Sequence, residues 1–384
     1  MRILHLSDLH IGKRVNGYSM IEDQRYVFEQ VYKLIEEKGI ETVIIAGDIY
    51  DRSIPSEEAT ELLDELLSKL IVDLKVRVVA VSGNHDSSTR LDFSSKILEK
   101  QGLYIVGEYK KLVNKVSIDN VDFYLMPYTD PSTIRREYRE LLGEREVTIS
   151  THDDVMKFIT DEVKAVMDRD RINIAIYHGF VVGAGDDPTE IEKEDSVKVL
   201  SVGGKEAVKE EYFLDFNYTA LGHLHGCRRV KSEKVRYAGS PVKYSFSETG
   251  QVKKFLIVDI DRDSLDIDDD IRIDQKYDMV EVSGTLDEVM EAEIPKDSYL
   301  KVTLTEQTLD AMNKLRTKYS RIMELQISIA TREARERRYT AAEIAEKTPN
   351  KLFEELAESV GVTLVDEDRD VLEGLVDTLI GEGK

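Results

Sequence analysis

Five apolar runs rich in β-branched residues each end in a short cluster of aspartate, asparagine or histidine. The runs are Ile3-Leu4-His5-Leu6, then residues 42–46, 76–81, 172–177 and 218–221. The clusters behind them are Asp8-Leu9-His10, Gly47-Asp48-Ile49-Tyr50-Asp51, Gly83-Asn84-His85-Asp86, His178-Gly179 and Gly222-His223-Leu224-His225. Amphipathic stretches over residues 22–37 and 56–72 separate the first three runs and carry helical spacing. Near-continuous apolar strands alternating with helices are buried on both faces, which predicts an α/β sandwich. Loops at the carboxyl ends of such strands are where α/β proteins build their sites.

The clusters carry a specific chemistry. Of the seven histidines in the chain, five fall inside them, leaving His5 and His152 to core or surface roles. A mixture of imidazole and oxygen ligands suits divalent transition metals such as Mn²⁺, Fe²⁺ or Zn²⁺. The set is too large for one ion and about right for two that share a carboxylate, which points to two-metal phosphoester chemistry. Asp8 and His10 are two residues apart, so on an extended segment they share a side and serve one ion. His223 and His225 have the same spacing and reach two adjacent ions about 3.5 to 4 Å apart. Asp48 is the natural bridge, because one carboxylate spanning two cations lowers their repulsion. Asn84 adds a neutral oxygen, so the site keeps the positive charge that acidifies water and neutralises phosphoryl oxygens. His85, next to Asn84, turns its ring elsewhere and is placed to donate a proton to the leaving oxygen.

At 384 residues the chain exceeds a typical single domain, so two or three units are expected. No apolar stretch approaches the length of a membrane span, and the first residues lead straight into the Asp8/His10 cluster and do not read as a signal peptide. Cys227, the one cysteine, excludes an internal disulfide and fits a reducing compartment, so a cytoplasmic protein is expected. A net charge of -23 is unusual for a free-standing nucleic-acid binder. It requires a small substrate, local charge from metals, or a partner that supplies the binding surface.

From about residue 115 paired strands predominate: 115–118 with 121–126, then 235–238 and 254–259, which read as a second sheet. The acidic stretch 259–274 reads as an edge strand and linker. After Asp278 a small α+β unit is expected, with strands over 279–283, 299–305 and 324–329 and a helix over 306–319. Beyond Thr340, Leu352, Phe353, Leu356 and Val360, then Val371, Leu372, Leu375, Val376, Leu379 and Ile380, form apolar stripes on two helices. Such stripes at a chain end suit docking on another protein.

In this order the clusters resemble the calcineurin-like metallophosphoesterase superfamily. The resemblance implies a four-layer α/β/β/α sandwich with two metal ions, one on Asp8, His10, Asp48 and His225, the other on Asp48, Asn84, His178 and His223. His85 is then the proton donor or transition-state stabiliser, and Asp51 and Asp86 support the ligands from behind. The opening Met1-Arg2-Ile3-Leu4-His5-Leu6-Ser7-Asp8-Leu9-His10-Ile11-Gly12 is similar to the SbcD family of nuclease subunits. So are Ala46 to Asp51, Val81 to Ser87, Ala220 to His225, Ser201-Val202-Gly203-Gly204 and Tyr237-Ala238-Gly239-Ser240-Pro241. Archaeal relatives carry a histidine where this chain has Asp51, whereas bacterial members often carry aspartate. That resemblance implies a nuclease domain over 1–275, a small α+β cap over 276–338 and a C-terminal helical segment over 339–384. It further implies Mn²⁺-supported cleavage of DNA, a homodimer, and a coiled-coil ATPase of the SbcC type bound by the C-terminal helices. Helices over 56–72 and 91–100, with Leu63, Leu66, Leu67 and Leu98, would form the dimer bundle. Arg135-Arg136 and the basic run 332–338 are candidate phosphate contacts, although the glutamates interleaved in that run suit a solvated helix face. A phosphatase or small-molecule phosphodiesterase on the same scaffold is the alternative.

Overall fold

The computed structural model describes residues 1–195 and 206–328. The segment 201–204, the basic run 332–338 and the C-terminal helices lie outside the described residues.

Two six-stranded sheets face each other. The first runs in the order Leu265–Arg272, Lys254–Ile260, Arg2–Leu6, Thr42–Ala46, Arg77–Val81, Leu103–Val106. Its last four strands are parallel, and Lys254–Ile260 pairs antiparallel to Arg2–Leu6. The second runs Arg228–Arg229, Val235–Tyr237, Tyr218–Gly222, Ile172–His178, Val121–Met126, Lys115–Ile118, parallel except at its two edges. Every residue of Thr42–Ala46, Ile172–His178 and Tyr218–Gly222 is buried. Side chains pointing one way fill the space between the sheets, where Ile3, Ile44, Val79 and Val81 meet Phe123, Ile174, Ile176 and Tyr218. Those pointing the other way meet helices, as expected of strands covered on both faces. The helix Ile21–Lys38 lays Val27, Phe28, Val31, Leu34 and Ile35 on the first sheet. It stops at Gly39, whose left-handed φ of 64° lets its N–H reach the Ile35 carbonyl. On the far side, His152–Val166 buries Val155, Met156, Ile159 and Val163 against the second sheet. The layers are therefore helix, sheet, sheet, helix, as expected.

Three expectations change. The strand Lys254–Ile260 belongs to the first sheet, beside Arg2–Leu6, and not to the second. The helix expected over 91–100 is broken into Ser88–Leu91 and Ser95–Leu98. Asp92 turns away between them to accept the Gly107 N–H at 2.7 Å, and Ser94 takes a left-handed φ of 59°. Of the leucines expected to face a second copy, Leu63 and Leu66 are instead buried in the core over the first sheet, while Leu67 and Leu98 pack against it and stay half-buried.

The unit after Asp278 has three parallel strands, Met279–Gly284, Tyr299–Leu304 and Ile322–Ile327. Helices Leu286–Glu291 and Ala311–Arg316 cross between them, the first unforeseen in the sequence and the second shorter than expected. Val289, Leu300, Val302, Leu304, Leu315 and Tyr319 make its own core. It docks on the first helix, where the Tyr299 hydroxyl donates to the buried Asp23 carboxylate at 2.9 Å.

Candidate metal centre

The carboxyl ends of Arg2–Leu6, Thr42–Ala46 and Arg77–Val81 in one sheet, and of Ile172–His178 and Tyr218–Gly222 in the other, converge on one place. Parallel pairing does this within each sheet: Ala46 lies beside Val81 and Gly222 beside His178. The two sheets are joined there by the His178 ring, whose Nδ1 donates to the Ala46 carbonyl at 2.9 Å. That bond leaves Nε2 as the lone-pair nitrogen, 3.0 Å from Asn84 Oδ1 and 3.5 Å from Asp48 Oδ2.

Asp8 and His10 do meet, but not through strand alternation. The strand ends at Leu6, and both residues adopt left-handed backbone, with φ of 51° and 43°. Asp48 does the same at 48°. These turns cost strain that a supported functional loop can hold. Gln24 supplies part of the support: its buried amide donates to the His10 carbonyl at 2.8 Å and to the Tyr244 hydroxyl at 2.9 Å, and accepts the Gly12 N–H at 3.1 Å.

Ligand atoms of Asp8, His10 and His225 lie within 4.8 Å of one another, as do those of Asp8, Asp48 and His178. His10 Nε2 is 3.2 Å from His225 Nε2 and 3.6 Å from Asp48 Oδ2. His223 Nδ1 stands 3.3 Å from Asn84 Oδ1, on the His178 side. Asp48 thus lies near both His10 and His178, and of the two histidines in the Gly222–His225 cluster His225 meets His10 and His223 meets Asn84. The His223 N–H donates to Asp8 at 3.0 and 3.1 Å, which ties the first cluster to the last.

The electrostatics suit a cation. Burial pushes His178 down to about 3, and pushes His10 and His223 well below the ordinary imidazole value, so these rings are neutral with lone pairs available. Burial also pushes the Asp48 carboxyl up. Among the described residues only His10 and His178 approach Asp48 as ion-pair partners, and neither carries charge. His10 Nδ1 and His223 Nε2 are buried without a hydrogen-bond partner. A buried carboxylate such as Asp48 beside neutral rings is costly, and a divalent ion is what removes that cost.

The surrounding residues hold this set in place. Asp86 accepts the N–H groups of Ile49, Tyr50 and Gly83 at 3.0, 2.8 and 2.9 Å, so its carboxylate ties the Asp48 loop to the Asn84 loop. Burial first, and then the neighbouring Asp48 charge, raise the Asp86 carboxyl to about 7. Asp51 accepts from Lys13 at 2.6 Å and stands 3.7 Å from His10 Nδ1. Its main-chain carbonyl accepts His85 Nδ1 at 2.9 Å, while the His85 N–H donates to Asp48 Oδ1 at 2.9 Å. The exposed His85 ring sits edge-on to His10, with centroids 4.8 Å apart, and ligand atoms of His10, Asp51 and His85 also lie within 4.8 Å of one another. His5 and His152 lie elsewhere: His5 is buried against Tyr218, and His152 opens a helix against Tyr128. Arg135 donates to the Ile149 carbonyl and Arg136 pairs with Glu137, both exposed.

The glycines have a reason. A Cβ on Gly83 would lie 2.1 Å from Asp48 Oδ1, and one on Gly47 would lie 2.3 Å from His178 Nδ1. Only a residue without a side chain lets these loops close on the ligands.

Four residues behind the site carried no signal in the sequence. Besides Gln24, they are Tyr244, whose ring meets those of His10 and His225 edge-on, and the buried pair Glu248 and Lys253. Glu248 Oε1 accepts His225 Nδ1 at 2.9 Å. Burial alone would raise this carboxyl; the His225 N–H and the Lys253 charge outweigh it and bring it to about 2.

The calcineurin-like phosphoesterase family matches residues 1–227, and the chain belongs to it. A second family, described as the type 5 capsule protein repressor C-terminal domain, matches residues 275–360. Among individual proteins, the chain is 29% identical over 330 residues to the SbcD subunit of the SbcCD nuclease from Staphylococcus epidermidis, a match that spans 85% of each chain. Solved structures with a similar chain path include a dimetal phosphatase from Danio rerio, at 13% identity and a TM-score of 0.43, covering 72% of this chain and 99% of that one. A phosphoesterase from E. coli matches at 13% identity and a TM-score of 0.27, covering 71% and 100%.

Proposed function

We propose that this chain is a metal-dependent DNA nuclease subunit, holding one divalent ion on Asp8, His10, Asp48 and His225 and a second on Asp48, Asn84, His178 and His223. The observation that carries this reading is the convergence of those seven side chains at the joined ends of two sheets, in a chain that follows a nuclease subunit along 85% of its length. Bound ions supply the Lewis acidity that activates water and offsets charge on the phosphoryl oxygens. Asp48 faces both positions and keeps their spacing. Asp86 fixes the two loops that deliver Asp48 and Asn84. Asp51 holds His85 through its carbonyl, which accepts Nδ1–H; in the imidazolium form Nε2 also carries a proton, which it gives to the leaving oxygen as the ring returns to neutral.

Manganese is the ion we assign to this mixed set of nitrogen and oxygen ligands. Residues 1–275 form the nuclease domain, 276–338 the cap, and 339–384 the segment that binds a coiled-coil ATPase of the SbcC type. No helix among the described residues is long and apolar enough to cross a membrane, and the reading places the protein in the cytoplasm as a homodimer. A partner that supplies DNA-binding surface accounts for a net charge of -23.

The test is digestion of linear duplex and circular single-stranded DNA with Mn²⁺, with and without the ATPase and ATP. Cleavage of either DNA, abolished by a chelator, supports the proposal. Rapid hydrolysis of a generic phosphomonoester with no cut in either DNA overturns it in favour of a phosphatase.

A further inference from the structure

Two of the proposed ligand histidines, on opposite halves of the site, are held by unequal partners. His178 Nδ1 donates to a neutral main-chain carbonyl, that of Ala46. His225 Nδ1 donates instead to the Glu248 carboxylate at 2.9 Å. Glu248 is fully buried, and its other oxygen accepts the Lys253 ammonium at 2.6 Å and the Tyr244 N–H at 3.3 Å. Lys253, also buried, donates to the His225 main-chain carbonyl at 2.9 Å, Ser240 Oγ at 2.8 Å and Gln251 Oε1 at 2.9 Å. The pair therefore grips both the ring and the backbone of one residue.

A buried ion pair is a poor device for stability, since desolvation offsets the attraction and an apolar pair of like volume does as well. Its geometry serves something else. A carboxylate only accepts, so Glu248 fixes the His225 proton on Nδ1 and turns the Nε2 lone pair toward His10 and Asp8. It also places negative charge behind the ring, which makes the imidazole a stronger donor than one backed by a carbonyl. We infer that Glu248 and Lys253 are positioning residues that set the tautomer and donor strength of His225, so that the ion position on Asp8, His10, Asp48 and His225 binds more tightly than its neighbour. This rests on the reading of His225 as a ligand.

Two measurements on the full chain test it. In the metal-free protein, ¹⁵N-histidine spectra, assigned with His225→Asn, show His225 as the Nδ1–H tautomer. An Nε2–H tautomer overturns the inference without any variant being needed. Calorimetric titration with Mn²⁺ gives two binding events for the wild type. In Glu248→Gln and Lys253→Met the tighter event weakens by about 10- to 100-fold and the other is unchanged, whereas weakening of the looser event alone overturns the inference. Equal weakening of both events, or none, in variants whose metal-free unfolding matches wild type overturns it. A wild type that takes up no pair of ions refutes the two-metal reading itself, a separate outcome.

Discussion

The Nδ1–H of His178 donates to the main-chain carbonyl of Ala46 at 2.9 Å, so one side chain both closes the two sheets on each other and turns its Nε2 lone pair toward Asn84 and Asp48. The bond is fully buried, and its loss has a structural cost separate from the metal. His178→Ala leaves the Ala46 carbonyl without this donor, which costs about 1–3 kcal/mol, and the vacated ring volume adds to it. Urea unfolding with excess chelator isolates this effect. An unchanged midpoint in the metal-free variant contradicts the tie between the sheets.

Asp48 and His85 are adjacent in space, and the proposed function gives them different work. Asp48→Ala removes the group that faces both halves, and the protein is expected to lose bound manganese in elemental analysis. His85→Ala is expected to keep its metal, because the proposed ligand set does not use that ring, and its rate on DNA to fall by about 10²- to 10⁴-fold, the range of general acid catalysis. Loss of metal from His85→Ala would move that ring into the ligand set.

How much of this was readable in the chain differs by feature. Strands such as Thr42–Ala46 announce themselves because apolar residues at both parities require cover on both faces. The candidate ligands were legible as clusters behind those strands, but their geometry was not. Asp8 and His10 converge through left-handed turns that no periodicity encodes. The sheet to which Lys254–Ile260 belongs depends on a partner at the other end of the domain, and its own pattern fits either sheet. Glu248 and Lys253 carry no mark in the sequence, since nothing local shows that the fold buries them behind His225. The broken helix around Asp92 was likewise decided by a distant N–H, that of Gly107.

Gly83 tests how tightly the loops close. Its missing Cβ leaves room for Asp48, whose Oδ1 and backbone nitrogen would lie 2.1 and 2.3 Å from an added methyl. The backbone nitrogen cannot swing aside as a flexible side chain would. Gly83→Ala is expected to displace Asp48, destabilise the fold by about 1–3 kcal/mol as an overpacked site does, and weaken manganese binding. Wild-type metal affinity in calorimetry, with unchanged stability, would show that the loop relaxes freely.

His5 provides a pH dependence away from the metal. It is fully buried, and Nδ1 lies 2.9 Å from the Tyr218 hydroxyl across the two sheets. Burial lowers its pKa from 6.5 to about 3. The unfolded chain therefore takes up a proton near pH 6.5, whereas the folded chain stays neutral until about pH 3. Protonation favours the unfolded state throughout that window, so the contribution of His5 is fully present above pH 6.5 and is lost as the pH falls. One such group changes stability by about 1.4 kcal/mol per pH unit where only the unfolded state is protonated. In urea unfolding with chelator at pH 7, 6 and 5, wild type is expected to lose ground against His5→Phe as the pH drops. Parallel curves for the two proteins would mean that folded His5 titrates as it does in the unfolded chain.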